Sequence, residues 1–264
     1  MRPIKESAKK KEILREMSFL EHLDDLRGVL IQSAIAYLLV VIGCWFLSGQ
    51  IIDFLIEDLT VEQLIFYAPA EAFMARVKIS LVLGLLIAYP FILFRVWAFV
   101  APALFRKERT KVWPFIISAS ILFYVGVVFA YLILIPVTLG FLIGFGTENL
   151  TPMISVTSYF SFVVRLCLVF GIVFQLPVIV FVLSLIGVVT PKFLLRQWRY
   201  AILITFVGAA VLTPPDPASQ VLMALPIVLL YIGSVLVAYA VIHKKQEKRE
   251  ESEEPEDPLD EENH

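Results

Sequence analysis

Basic residues are spaced along this chain in a way that leaves few architectures open. Eighteen of its 22 Lys and Arg residues fall in four clusters: an N-terminal group from Arg2 to Arg27, then Arg106 to Lys111, Lys192 to Arg199, and Lys244 to Arg249. Long apolar stretches, and loops nearly free of Lys and Arg, separate the clusters. Basic residues in short loops stay on the cytoplasmic side of a membrane, so the alternation predicts that both tails and two internal loops are cytoplasmic. The number of crossings is then even.

Composition agrees. With 59% hydrophobic and 17% charged residues over 264 positions, the chain is too apolar for a water-soluble domain and reads as an integral membrane protein. Its formal net charge of -2 conceals the segregation of charge and says little about partners. Residues 1–18 alternate Lys and Glu without an apolar core, which speaks against a cleaved signal peptide, and they are too acidic for a transit peptide. Cys44 and Cys167 sit in apolar stretches with no CxxC pattern and read as small buried hydrophobes. His22, His243 and His264 all lie outside the predicted spans, and neither GxxxxGK[ST] nor HExxH is present. No metal, no cofactor and no enzymatic reaction are expected; the energy for any work would come from a partner or from the membrane gradient.

About 20 apolar residues at 1.5 Å rise cross the hydrocarbon. Spans are predicted near Val29 to Leu47 and Val77 to Trp97, with residues 48–76 as an outside loop. Two further stretches, Val112 to Phe145 and Val156 to Val189, exceed a perpendicular crossing and should tilt, overhang, or kink at Pro114, Pro136 or Pro177. Between Arg199 and the TPPDP run beginning at Thr213 only about thirteen apolar residues remain, roughly 20 Å of helix. A re-entrant hairpin there would put Lys244 on the side opposite Lys192, so the positive-inside pattern favours a true, short fifth crossing and a sixth from about Ala218 to Ile242. The chain thus divides into a cytoplasmic segment 1–28, a transmembrane domain 29–242, and an acidic tail 243–264 expected to be disordered.

Polar residues at membrane depth are costly and so carry information. Arg165 and Gln175 interrupt the fourth span. Arg165 either snorkels to the outer surface or faces a water-filled cavity. Gln175 lies deeper, and its amide either bonds within the bundle or meets a polar group on a partner helix. At the cytoplasmic face, FLEHLDDLR (Phe19 to Arg27) reads as an amphipathic helix carrying Glu21, Asp24 and Asp25, and VWAFVAPALFRKER (Val96 to Arg109) brings Phe99 and Glu108 to the same surface. By charge alone, Glu108 would pair with its neighbours Arg106, Lys107 and Arg109.

These two segments, together with FYVGVVFAY (Phe123 to Tyr131), FQLPV (Phe174 to Val178) and LTPPDPASQ (Leu212 to Gln220), resemble in order and spacing the TatC family, the multispanning receptor subunit of the twin-arginine protein translocase. The resemblance implies an all-α bundle of six helices with both termini cytoplasmic and a short sixth span beside the short fifth, a cupped shape that would thin the bilayer. It implies recognition of twin-arginine signal peptides, recruitment of TatA- and TatB-type single-span partners, self-association in the receptor complex, and a prokaryotic cell membrane. Residue by residue, Glu108 matches the family's loop glutamate that receives the arginine pair and Asp25 its N-terminal acidic position. Phe99, Pro90 and Arg27 match positions near the recognition surface. Gln175 stands where many members carry glutamate and is assigned to docking a partner helix; Asp216 falls at the outer turn of the short hairpin. A small-molecule or ion secondary transporter is the alternative class that Arg165 and Gln175 would also suit.

Overall fold

The computed structural model describes residues 19–57, 64–100, 112–145, 153–212 and 216–253. Its first helix, α1 (Phe19–Glu57), joins FLEHLDDLR to the first span without a break and runs ten residues past the predicted end. No proline interrupts it. Beyond Leu47, where an outside loop was expected, Ile51, Ile52 and Leu55 pack on the main core and keep the helix going. A two-residue strand β1 (Leu64–Ile65) follows, then α2 (Pro69–Val100), which opens with Pro69 and carries Glu71 in its first turn, both suited to a helix N-terminus.

Pro90 lies inside α2 and has no N–H to give the Leu86 carbonyl four residues back. The Tyr124 hydroxyl, from the next helix, donates to that carbonyl at 2.8 Å. An unmet acceptor is thereby turned into an interhelical tie. Along the other flank of α2, Tyr37 Oη donates to Leu81 O at 3.1 Å, and Gly84 lies so near α1 that a Cβ there would collide with Val41.

The third passage is α3 (Val112–Phe129), a π-helical turn (Ala130–Leu134) and α4 (Ile135–Ile143). The widened turn precedes Pro136, whose ring would otherwise press on the Leu132 carbonyl, so the expected kink is taken up as a π-bulge. Strand β2 (Ile154–Ser155) then pairs in parallel with β1, Leu64 opposite Ile154 and Ile65 opposite Ser155. Nothing in the hydrophobic pattern announces so short a pairing.

The fourth passage begins at α5 (Val156–Val173), capped by Ser155 Oγ accepting from Ser158 N, and breaks at Phe174–Gln175 before α6 (Leu176–Leu185). Pro177 explains the break, since it cannot donate to the Val173 carbonyl. Gly187, at φ +81, turns the chain after α6 in the left-handed region that glycine tolerates. A short helix, α7 (Pro191–Arg196), leads to α8 (Trp198–Leu212), whose 15 residues span about 22 Å. The chain closes with α9 (Pro217–Glu253).

Two expectations need correcting at α9. Its apolar part runs 28 residues, Pro217–Lys244, so the sixth passage is long and only the fifth is short. Pro226 bends but does not end it, because the apolar run continues on both sides. The helix also persists through the Lys/Glu-rich residues to Glu253, where disorder was expected; Lys and Glu are good helix formers. Residues 254–264 lie outside the described residues.

The molecule is therefore an all-helical membrane protein, with five long apolar helices and one shorter one among the described residues. Phe160, Leu166 and Phe170 of α5, Leu134 of the π-turn and Met223 of α9 form the main core. A second cluster, Val180, Val189, Leu194, Val235 and Ala238, joins α6, α7 and α9. Large exposed side chains such as Phe46 (80%) and Leu39 (65%) cover the outer faces, as expected where lipid rather than water is the solvent.

Candidate functional site

Three contacts fix how α1 and α2 lie along each other: Tyr37 with Leu81, Val41 with Gly84, and Trp45 with Phe73 at 5.6 Å between rings. Tyr37 and Val41 meet α2 at residues 81–84, whereas Trp45 and Gly49, farther along α1, meet it at Phe73 and Arg76, so the helices are antiparallel. Extending that register places Asp25 level with roughly residues 93–100 of α2. Asp24, Asp25 and Arg27 are all exposed on the first turns of α1, and Phe99 is half-buried on the last turn of α2. Asp25, Arg27 and Phe99 thus gather at one end of the molecule. Glu108 falls in residues 101–111, outside the described residues.

Beneath this end lies an aromatic layer. Trp97 stacks on Phe115 at 3.9 Å and Phe94 on Trp113 at 5.8 Å, joining α2 to α3. Pro90 sits one level deeper and, with Phe91, Phe94, Trp113, Ser120 and Tyr124, lines a cleft of about 430 Å³. Among the described residues, Arg95 Nε and Trp97 Nε1 are buried donors without a partner. An unmet buried donor costs about 1–3 kcal/mol, so each of these N–H groups would gain from an oxygen atom brought to it. Arg95 falls near the end of the predicted second span, and the surroundings of its Nε depend on aromatic packing that no spacing rule discloses.

Gln175 occupies the break between α5 and α6, where its Nε2 donates to Ala119 O of α3 at 3.0 Å. The amide therefore has a mate inside the bundle. Arg165 is exposed on α5. One turn nearer the start of α5, Ser161 Oγ accepts from Lys78 Nζ of α2 at 2.6 Å, a link between two spans. Asp216 is not simply a turn residue: its carboxylate accepts from Ser219 N at 2.8 Å and from Ser219 Oγ, capping α9. Those bonds from Ser219 hold its carboxyl below the usual range. Gln220, from the same motif, donates to Phe206 O at 2.8 Å and closes the α8–α9 hairpin.

Among the described residues no group of three His, Cys, Asp or Glu side chains comes together to hold a metal. Cys44 and Cys167 are buried and unpaired.

Comparison with known proteins places this arrangement. Residues 21–226 match the family model of the Sec-independent protein translocase protein TatC. A TatC protein of Koribacter versatilis is 38% identical over 247 residues, covering 90% of each chain, and one of Aquifex aeolicus is 38% identical over 237 residues, covering 88% of this chain and 98% of its own. A crystal structure described as the twin-arginine translocase receptor TatC superposes with a TM-score of 0.77 at 37% identity, covering 84% of this chain and all of that one. Helices, their order and the sequence agree together: the chain belongs to the TatC family of Sec-independent protein translocase proteins.

Proposed function

We propose that this chain is the signal-peptide receptor of a twin-arginine translocase, a non-enzymatic membrane subunit that reads paired arginines at the end of the bundle where Asp25, Arg27 and Phe99 gather. The observation that carries the reading is the family match through residues 21–226 together with the match to a solved TatC receptor. Glu108 and Asp25 are the carboxylates assigned to the two guanidinium groups. Each guanidinium is planar and always charged, and it binds a carboxylate through two parallel, charge-assisted hydrogen bonds that an ammonium cannot reproduce. Phe99 and the aromatic layer below it supply an apolar wall, with Pro90 shaping the cleft beneath.

In this reading both termini and the loops around Lys107 and Arg196 face the cytoplasm of a bacterial cell, as the basic clusters require. TatA- and TatB-type single-span subunits are the partners, and copies of the chain associate within the receptor complex. Gln175 is assigned to partner docking through the amide atoms that the Ala119 bond leaves over: an amide offers two N–H groups and one oxygen, and that bond uses one N–H. The 22 Å of α8 falls short of the roughly 30 Å hydrocarbon, so the bilayer thins beside it.

Purified chain mixed with a signal peptide carrying consecutive arginines tests the reading. Binding is expected and should be lost when the pair becomes two lysines; equal binding of both peptides would overturn it.

A further inference from the structure

Between α7 and the end of the apolar part of α9 lies a cavity of about 650 Å³ that the receptor role does not use. Its polar lining is Thr190, Lys192 and His243; its apolar walls are Pro191, Tyr239 and Ile242. We propose that this cavity binds the phosphate headgroup of an anionic phospholipid, with Lys192 as the charged contact.

Charge is the first argument. No carboxylate occurs between Glu148 and Asp216 or between Asp216 and Glu247, so α6, α7, α8 and the stretch of α9 from Pro217 to Gln246 carry no acidic residue. Lys192 in its lining is exposed, as are Arg196, Arg199 and Lys244, which follow the lining residues in α7, at the start of α8 and in α9. Among the residues that line the cavity, Lys192 is a cation and none is acidic. Basic pockets between spans at the cytoplasmic leaflet suit such headgroups.

Position is the second. Trp198, Tyr200 and Tyr239 are exposed at 51%, 64% and 48%, at the level where the apolar surface of α9 gives way to His243 and Lys244. Amphipathic aromatics at such a boundary mark the membrane–water interface. A phosphate held at that level has acyl chains below it, and Pro191, Tyr239 and Ile242 offer them apolar contact, which a free phosphate ion could not use. The frame is firm, because Tyr231 Oη donates to Leu194 O at 2.7 Å and Pro191, Leu194, Val235 and Ala238 are buried.

The test titrates the full chain in neutral detergent with short-chain phosphatidylglycerol, short-chain phosphatidylcholine and inorganic phosphate, and counts bound molecules by native mass spectrometry. Phosphatidylglycerol should bind best. Lys192→Gln should weaken it about fivefold, one surface cation's share, while Lys192→Arg retains it. Ala240→Trp, which fills the cavity from its exposed side of α9 and leaves every charge in place, should also abolish it. Lys78→Gln, on other elements, should leave binding at the parent level. Undiminished phosphatidylglycerol binding in Lys192→Gln or Ala240→Trp would overturn the proposal, as would inorganic phosphate displacing the lipid at equal concentration, which would make this a site for a free anion. Both substituted side chains are exposed, so the variants keep the buried frame.

Discussion

A single side chain here often answers a defect left by another. Tyr124 donates to the carbonyl that Pro90 leaves bare, and Gln175 donates to α3 from the break that Pro177 makes in the fourth passage. The Gln175 amide thus serves two roles in this account, a tie within the bundle and a mate for a partner helix. Gln175→Leu should lower partner crosslinking and export while leaving signal-peptide affinity nearly intact, as the site lies far along the fourth passage from Asp25. Normal assembly and export by that variant would reduce Gln175 to a packing amide. Asp216 gives a pH prediction of definite sign. Its carboxyl is held below the ordinary value of about 3.9, so its cap is fully effective above that value and is lost as pH falls through the lower folded value. Acid scans of helicity should show parent and Asp216→Asn diverging above that window and converging below it; divergence that persists at the acid end would contradict the cap. The sequence showed where Asp216 and Gln175 lie. It could not show their hydrogen-bond partners, which depend on Ser219 and Ala119 being brought within 3.0 Å by the fold.

At the scale of elements, apolar run length was a good guide and end points were not. The short fifth passage was legible because Arg199 and the TPPDP run bracket it, and α8 ends at Leu212 as that bracket demands. Helix α1 overran its prediction because Ile51, Ile52 and Leu55 find core to pack on, which hydropathy counts cannot register. The π-turn before Pro136 and the pairing of Leu64 with Ile154 were invisible for a related reason: each spans a few residues and is set by tertiary context. The short sixth passage came from family resemblance and yielded to the 28 apolar residues of Pro217–Lys244. Helix α8 offers the functional test. Inserting a full turn of apolar residues adds about 5.4 Å and relieves the mismatch with the bilayer. Export should fall while twin-arginine peptide binding is kept; unimpaired export would remove any role for local thinning.

For the whole molecule, the segregation of 18 basic residues into four clusters implies six passages with both ends cytoplasmic, and the five long helices and one short helix supply them. Cysteines introduced at Thr60, Glu148 and Asp216 should label from outside, and those at Lys107 and Arg196 only from inside. Labelling of Arg196 from outside would reverse the orientation and carry the recognition surface to the wrong compartment. The candidate site was legible only in part: the motifs single out Asp25, Arg27 and Phe99, but what sets them at one end of the molecule is an α1–α2 register that no local pattern contains. The most direct measurement of the central claim is a binding cycle on purified chain, crossing parent, Glu108→Gln, Asp25→Asn and the double variant with the twin-arginine peptide and its twin-lysine counterpart. A charge-assisted hydrogen bond contributes about 1.5–3 kcal/mol, so Glu108→Gln should weaken the arginine peptide roughly tenfold to a hundredfold, with Glu21→Gln close to parent and the lysine peptide weak throughout. An arginine peptide bound by folded Glu108→Gln as tightly as by the parent would contradict the account.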